Sequence, residues 1–502
     1  MKRYLSAIAL GAALALTPPA LAQGPLPEKP ADAGAADLWQ GLFQRDLDYL
    51  ERVIPSHYIY AVYPDPAGWN GQFRSALTQA RQDAARVRNL PSYRAAMQRF
   101  IVSFEDAHFS AYFNAASRHG RWPGFAVEYQ GGRYLVTGSK TDSVRVGEEI
   151  GACDGRPLDG WIDMLTEFDG GPKGRETTRA ALARQMFVDR GNPFYTLPAE
   201  CHVGDREVTL TWAPLPSESL VAEEPERTSS SAPTLTDGAL GLSDFGASGA
   251  WVRIGTMMPT TAESAAQFHQ LIDQAPSLRD KEVIVIDVRG NAGGTYNWFM
   301  AFLRGLYGQD YADYYARARL EIANTILVLA AKGMDDMGYS DSVKHIDVPP
   351  DPPLEAAMAK PRVQELPGGS RLLFMDPAVK AQHYPKAPPP SLVRARVYLL
   401  TDYGCASACL SFTDEMMRFP GVTQIGTETH IDRRSGGWPE GFELPSGLAT
   451  VRMGRMVRDQ RQRGENVAWV PTHHYPGDIA DTAAVRRWVL ETVLPQDLAK
   501  AR

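Results

Sequence analysis

The chain has 502 residues, 44% of them apolar and 22% charged, with a formal net charge of −7. This length suggests about three domains, and the composition is that of an ordinary folded protein, not a disordered one. The mild acidic balance gives no electrostatic footprint for nucleic acid or an anionic membrane surface.

In chain order, MKRYLSAIALGAALALTPPALAQG opens with Lys2 and Arg3, an apolar run and Ala20-Leu21-Ala22. This is the layout of a cleavable secretory signal, covering 1–22. The apolar run falls short of the roughly 20 residues that span a bilayer, and no other long apolar run follows. The expectation is a periplasmic or secreted bacterial protein without stable membrane insertion after cleavage. Residues 23–36 are rich in Pro and Ala and read as a flexible lead-in. LWQGLFQRDLDYLERVI and SYRAAMQRFIVSF have helical spacing and predict a helical N-terminal domain over 37–118.

From about residue 119 short strand-like runs alternate with Gly and Asp turns: FAVEY, YLVTG and EEIGACDGRPL. Two helix-like stretches and a strand pair around ECHVGDREVTLTW complete a unit over 119–215. GEEIGACDGRPLDGW is similar to a segment of PDZ domains, which bind peptide ends as an added strand. A Ser-, Glu- and Pro-rich linker is expected over 216–245. VIVIDV is a continuous apolar strand of the kind buried on both faces of an α/β sheet. An α/β core is therefore expected over 246–309 and 391–495, with residues 310–390 inserted into it.

Four cysteines occur, at 153, 201, 405 and 409. An oxidising compartment permits disulfides, and a Cys153–Cys201 pair is left open. Cys405 and Cys409 read as two small buried thiols, which would share a helix face if the helix began early enough. No Cys or His spacing suggests zinc, and the chemistry considered below needs no cofactor and no metal.

Ser407 lies in GCASACL, between the strand-like VYLL and the helix-like LSFTDEMMRF. A helix beginning there offers unsatisfied N–H groups and a positive dipole end. The ordinary alternative is a helix-capping serine; neither a G-x-S-x-G elbow nor S-x-x-K is present. DVRGNAGG (287–294) follows a buried strand, and its glycines free the backbone to aim N–H groups at an anion. The alternative is a tight strand-to-helix turn. His108, in EDAHFSAYF, is one of ten histidines and is weak evidence alone.

Together, IDVRGNAGG and TDYGCASACLSF resemble the C-terminal processing (tail-specific) serine peptidases and their tricorn-like relatives. These carry a D-x-R-x-N-x-G-G turn and a nucleophile centred in a run of small residues. The resemblance implies a multidomain α/β fold with a peptidase core of ββα units (crotonase-like), preceded by a PDZ-like domain. It implies Ser407 as nucleophile, and backbone N–H groups of Gly293 and Ala408 as oxyanion donors. The Ser/Lys branch does not fit, because the only lysine after Ser407 is Lys500. The Ser/His/Glu branch does: Asp106-Ala107-His108 matches the early D-x-H segment, and Glu465 in GENVAWVP lies fifty-eight residues after Ser407. His108 is thus expected as general base and Glu465 as its orienting acid, directly or through one bridging polar group. VAWVPT departs from the family's G-V-x-P-D at this point. His430 is the rival base, and His473-His474 reads as a loop feature.

The expected function is a serine endopeptidase acting on polypeptides. The rivals are a degenerate core whose PDZ-like region only binds peptides, and a serine hydrolase of small substrates using the same triad.

Overall fold

In the computed structural model residues 33–500 are described, except residue 64, segments 115–119, 216–238, 322–324, 330–346, 353–361, 367–370, 375–386, 437–439 and 459–460, and residue 462. The signal-like segment, most of the lead-in and linker, and much of the insertion lie outside the described residues.

The site is framed by a six-stranded sheet in the order Leu240–Phe245, Gly249–Ile254, Val283–Asp287, Arg396–Thr401, Val422–Gly426 and His473–His474. The first pair is an antiparallel hairpin, and every later pair is parallel. All of Val283–Asp287 is buried, as its unbroken apolar run predicts. Period-two alternation sends Ile284 and Ile286 into one apolar cluster, with Phe268 and Phe299 of the helices Ala262–Gln274 and Tyr296–Tyr307. Val283 and Val285 enter the opposite cluster, with Val485 of the helix Thr482–Trp488. Both faces are therefore covered, as a parallel sheet requires. In such sheets ligands gather beyond the carboxyl ends of the strands.

Residues 120–215 pack around a separate apolar cluster that includes Phe125, Ile150, Trp161 and Leu182. They hold the hairpin Phe125–Gln130/Arg133–Ser139, a four-stranded sheet, and the helices Leu158–Asp169 and Glu176–Met186. A Cys153–Cys201 disulfide links two paired strands of that sheet.

Three features depart from the expected divisions. The end of the expected linker is the strand Leu240–Phe245. Its LGLSDF run turns at Gly246 (φ 61°) and pairs with GAWVRI, so the polar composition of the linker stops short of it. The first helix, Ala33–His57, begins inside the expected lead-in. The N-terminal helices do not form a closed domain: Phe43, Tyr93 and Phe100 share one apolar cluster with Leu444, Val451 and Met453. The strand Ser110–Phe113, after those helices, pairs with Ala449–Met453. Within the insertion, Thr325–Leu329, Arg362–Glu365 and Arg371–Phe374 join Met456–Arg458 and Ser435–Gly436 in a five-stranded sheet. Among the described residues no helix is long and apolar enough to cross a membrane.

Candidate active site

Two adjacent strands, Val283–Asp287 and Arg396–Thr401, run parallel and release their turns side by side. Hydrogen bonds cross-link the turns. The Gly290 N–H donates to Asp402 Oδ1 at 2.8 Å, and the Ala406 N–H donates to the Asn291 carbonyl at 3.0 Å. Asn291 is fully buried, and its Nδ2 donates to the Ile254 carbonyl at 2.8 Å. Gly293 lies directly against the serine turn. A Cβ added there would be 2.8 Å from the Ser407 Cβ and 2.7 Å from the Ala408 nitrogen.

Ser407 begins the helix Ala408–Met416 with φ 52° and ψ −116°, and its hydroxyl makes no capping hydrogen bond. A non-glycine residue in this region costs about 1–3 kcal/mol and survives only where its surroundings over-determine it. The side chain therefore does none of the work of an ordinary helix cap. The Ala408 N–H is the first amide of the helix and lacks an intrahelical acceptor. The Gly293 N–H, expected to face an oxyanion, donates to Asn291 Oδ1 at 2.8 Å instead.

Cys405 and Cys409 are disulfide-bonded, contrary to the two-thiol reading. The helix starts at Ala408, so Cys405 stands outside it, and the two Cα atoms are 5.2 Å apart, within disulfide reach.

His108 follows the third N-terminal helix, on a turn tied to the core. Arg433 Nη1 donates to the Phe104 carbonyl at 2.8 Å, and Asn466 Nδ2 donates to the Glu105 carbonyl at 3.0 Å. The carboxylate beside His108 is Asp106. Asp106 Oδ1 accepts the His108 backbone N–H at 2.9 Å and the Ser435 hydroxyl at 2.6 Å; Oδ2 accepts the Tyr58 hydroxyl at 2.7 Å. Burial would raise this carboxyl, but its hydrogen bonds with His108, Ser435 and Tyr58 outweigh burial and hold it below the usual carboxylate range. Ser435 Oγ is also 3.3 Å from His108 Nδ1. Ser435 has one proton and gives it to Asp106, so toward the imidazole it can only accept. Nδ1 then carries the ring proton, and Nε2 keeps a lone pair.

Glu465 is not joined to His108. Its carboxylate accepts the Arg434 backbone N–H at 2.9 Å, Arg434 Nε at 2.7 Å and the Tyr60 hydroxyl at 3.2 Å. The Arg433 guanidinium lies over the Tyr60 ring at 4.6 Å. Arginines 433 and 434 thus capture the acid that the sequence assigned to His108. His430 is tied by its N–H to the Cys405 carbonyl at 3.2 Å, and its Nδ1 donates to the Ile431 carbonyl. Among the described residues no hydrogen bond joins Ser407 to either His108 or His430. His473 bonds Asp497 at 2.9 Å and His474 bonds Glu176 at 2.8 Å. No group of three or more His, Cys, Asp or Glu among the described residues could hold a metal ion.

A cleft of about 1130 Å³ runs between the N-terminal helices and the helices Leu158–Asp169 and Glu176–Met186. Asp106, Ala107 and His430 are among its lining residues, while Ser407 and His108 are not. Sequence reasoning gave no role to Asp106, although its place two residues before His108 was a usable signal. Ser435, Tyr58 and Asp402 carried no signal at all, because only folding brings them to the site.

The overall fold is similar to that of mature CPAF, with TM-score 0.52, 17% identity, and coverage of 91% of this chain and 98% of that one. The structure of mature CPAF complexed with lactacystin gives TM-score 0.53 at 17% identity, covering 91% and 99%. At that identity the likeness is one of fold. No curated protein matches the chain. Residues 248–471, which carry both turns, match peptidase family S41. Residues 248–471 thus carry a peptidase family S41 core of the C-terminal processing class, which supports a serine-type peptidase.

Proposed function

We propose that this peptidase is an exported endopeptidase that cleaves polypeptides through an acyl-enzyme, with Ser407 as nucleophile and His108 as general base. The observation that carries the reading is the hydrogen-bond chain Asp106–Ser435–His108, which leaves His108 Nε2 as the proton acceptor. A serine hydroxyl needs such a base to become nucleophilic. In the reaction Ser407 Oγ attacks the peptide carbonyl while Nε2 takes its proton, then returns it to the leaving amine. Water repeats the sequence on the ester. The Ala408 N–H supplies one oxyanion donor. The Gly293 N–H supplies the second when the substrate oxygen displaces Asn291 Oδ1. The Ser407–His108 bond is absent here and forms when substrate draws the N-terminal turn and the core together; such bonds are often loose without substrate.

Asp106 is the orienting acid in this reading. Glu465 is the second reading, favoured by the bond from neighbouring Asn466 to Glu105 on the His108 turn; to act, Glu465 must leave Arg434 and Tyr60. The unit 120–215 serves as a PDZ-like peptide holder. Its strand Phe125–Gln130 pairs only with Arg133–Ser139 among the described residues, which leaves an edge for an added strand. Two disulfides and the signal-like N-terminus support an exported location.

The test is fluorophosphonate labelling of the purified protein, beside Ser407→Ala and His108→Ala. Labelling that maps to Ser407 and is lost in both variants is expected. Labelling lost in His430→Ala but kept in His108→Ala would transfer the base to His430. A folded protein that never labels, with peptides present, would favour the inactive peptide binder.

A further inference from the structure

We propose that the Cys405–Cys409 disulfide is a positioning element for the nucleophile, closing a five-residue ring around Ser407 and tying catalytic competence to the oxidised pair. The inference rests on Ser407 being the nucleophile.

The ring is Cys405, Ala406, Ser407, Ala408 and Cys409, with the serine at its centre. Ser407 is also the member in an unfavourable conformation, φ 52° and ψ −116°. Such a conformation needs constraints on both sides. On the near side, the Cys405 N–H donates to the Asp402 carbonyl at 3.0 Å, and the Cys405 carbonyl accepts from His430 N–H at 3.2 Å. On the far side, the Cys409 N–H donates to the Ala406 carbonyl at 3.0 Å. The disulfide joins the two sides across the serine. Both cysteines are fully buried, packed in the cluster that holds Val288, Phe299 and Phe412. Cys409 Sγ is 3.9 Å from the Val288 carbonyl, at the root of the turn that carries Gly293. The bridge thus references the serine to the neighbouring turn.

Its effect is local. Disulfides restrain the unfolded chain more as the loop they close lengthens. Cys153–Cys201 spans 48 positions and Cys405–Cys409 only 4. The short bridge therefore contributes less to global stability than the long one, and it acts on the geometry of its own ring. A dithiol reductant would transfer two electrons and two protons to it, giving two thiols and leaving the reductant as a disulfide. Complete burial makes that exchange slow in the native state.

The experiment compares rate constants of fluorophosphonate labelling at Ser407 in wild type, C405A/C409A, C153A/C201A, and wild type reduced with dithiothreitol and then reoxidised with oxidised glutathione. The expected result for C405A/C409A is a rate roughly tenfold lower or worse, the scale of a misplaced reacting group, with a smaller drop in melting temperature than C153A/C201A shows. Reoxidation of reduced wild type restores its rate. C153A/C201A melts lower but labels normally. If the double alanine variant does not fold, C405S/C409S and reduced wild type carry the same comparison. A wild-type rate in the folded, bridge-free protein overturns the proposal. Wild type that never labels at Ser407 overturns the nucleophile reading, and the proposal with it.

Discussion

Asp106 Oδ1 stands 3.7 Å from His108 Nδ1, with Ser435 Oγ bonded to both groups, at 2.6 and 3.3 Å. The carboxylate thus controls the imidazole through a hydroxyl whose single proton is already committed. Asp106→Asn keeps the shape but removes the charge that stabilises an imidazolium, and it frees the amide to set the wrong tautomer. Labelling or peptide cleavage should fall roughly 100- to 10,000-fold, the range for losing an orienting acid. Ser435→Ala should cost less, about tenfold, because Asp106 keeps its bonds from Tyr58 and the His108 backbone. Equal and negligible effects of both changes would sink this chain of control.

Glu465→Gln separates the two candidate acids. The Glu465 carboxylate sits with Arg434 and Tyr60 and is 30% exposed. A pair so open to solvent stabilises by about 0–1 kcal/mol. The expected result is a melting temperature lowered by a few degrees at most and a labelling rate within about tenfold of wild type. A loss as large as that of Asp106→Asn would give Glu465 the orienting role and make its present contacts those of an inactive arrangement.

Gly293→Ala tests the contact between the turns. Gly293 has φ 104°, where a side chain is strained, and an added Cβ would overlap Ser407 Cβ and the Ala408 nitrogen at 2.8 and 2.7 Å. Neither neighbour is a flexible side-chain end, so the serine turn itself must move. The backbone term alone should destabilise by about 1–3 kcal/mol, measured as a lower urea midpoint. Labelling should be lost even where the variant is folded. A folded Gly293→Ala protein that labels at the wild-type rate would show that the two turns do not jointly form the site.

Part of this arrangement was legible in the sequence. The strand Val283–Asp287 announced itself because an unbroken apolar run leading into a glycine-rich turn fits a strand covered on both faces. The serine at a strand–turn–helix junction was legible because alanines and a following helical pattern mark such a junction. What the sequence left out were features that depend on distant partners. The family resemblance pointed to Glu465, but local sequence could not show that its carboxylate here meets Arg433 and Arg434. Cys405 and Cys409 read as small buried thiols because their spacing in a run of small residues does not show that the turn brings their Cα atoms to 5.2 Å. The N-terminal helices read as a domain because local periodicity cannot reveal that their apolar faces close against strands some 350 residues later.

Asp402 gives the pH dependence. Its Oδ1 accepts the N–H groups of Gly290 and Gly404 at 2.8 and 3.0 Å, while Oδ2 is buried without a partner among the described residues. Burial pushes its carboxyl up to about 6, against the Gly290 hydrogen bond and the nearby guanidinium groups of Arg289 and Arg253; Asp287 adds to the rise. In the unfolded chain the group titrates near 3.9. Between those values the folded state holds a proton that the unfolded state has lost. The contribution of Asp402 to stability is therefore full below about pH 3.9, declines as pH rises, and is gone above about pH 6. The total change is about 3 kcal/mol. Asp402→Asn is a fixed analogue of the protonated form, and its amide occupies the unpartnered position at every pH with a constant cost. The stability of the variant relative to wild type should therefore rise by about that amount between roughly pH 4 and pH 7, read from urea unfolding. A difference that stays flat across this range would mean that Asp402 is already ionised in the acidic folded protein. The cross-link between the two turns would then be a charged one at every pH where the enzyme works.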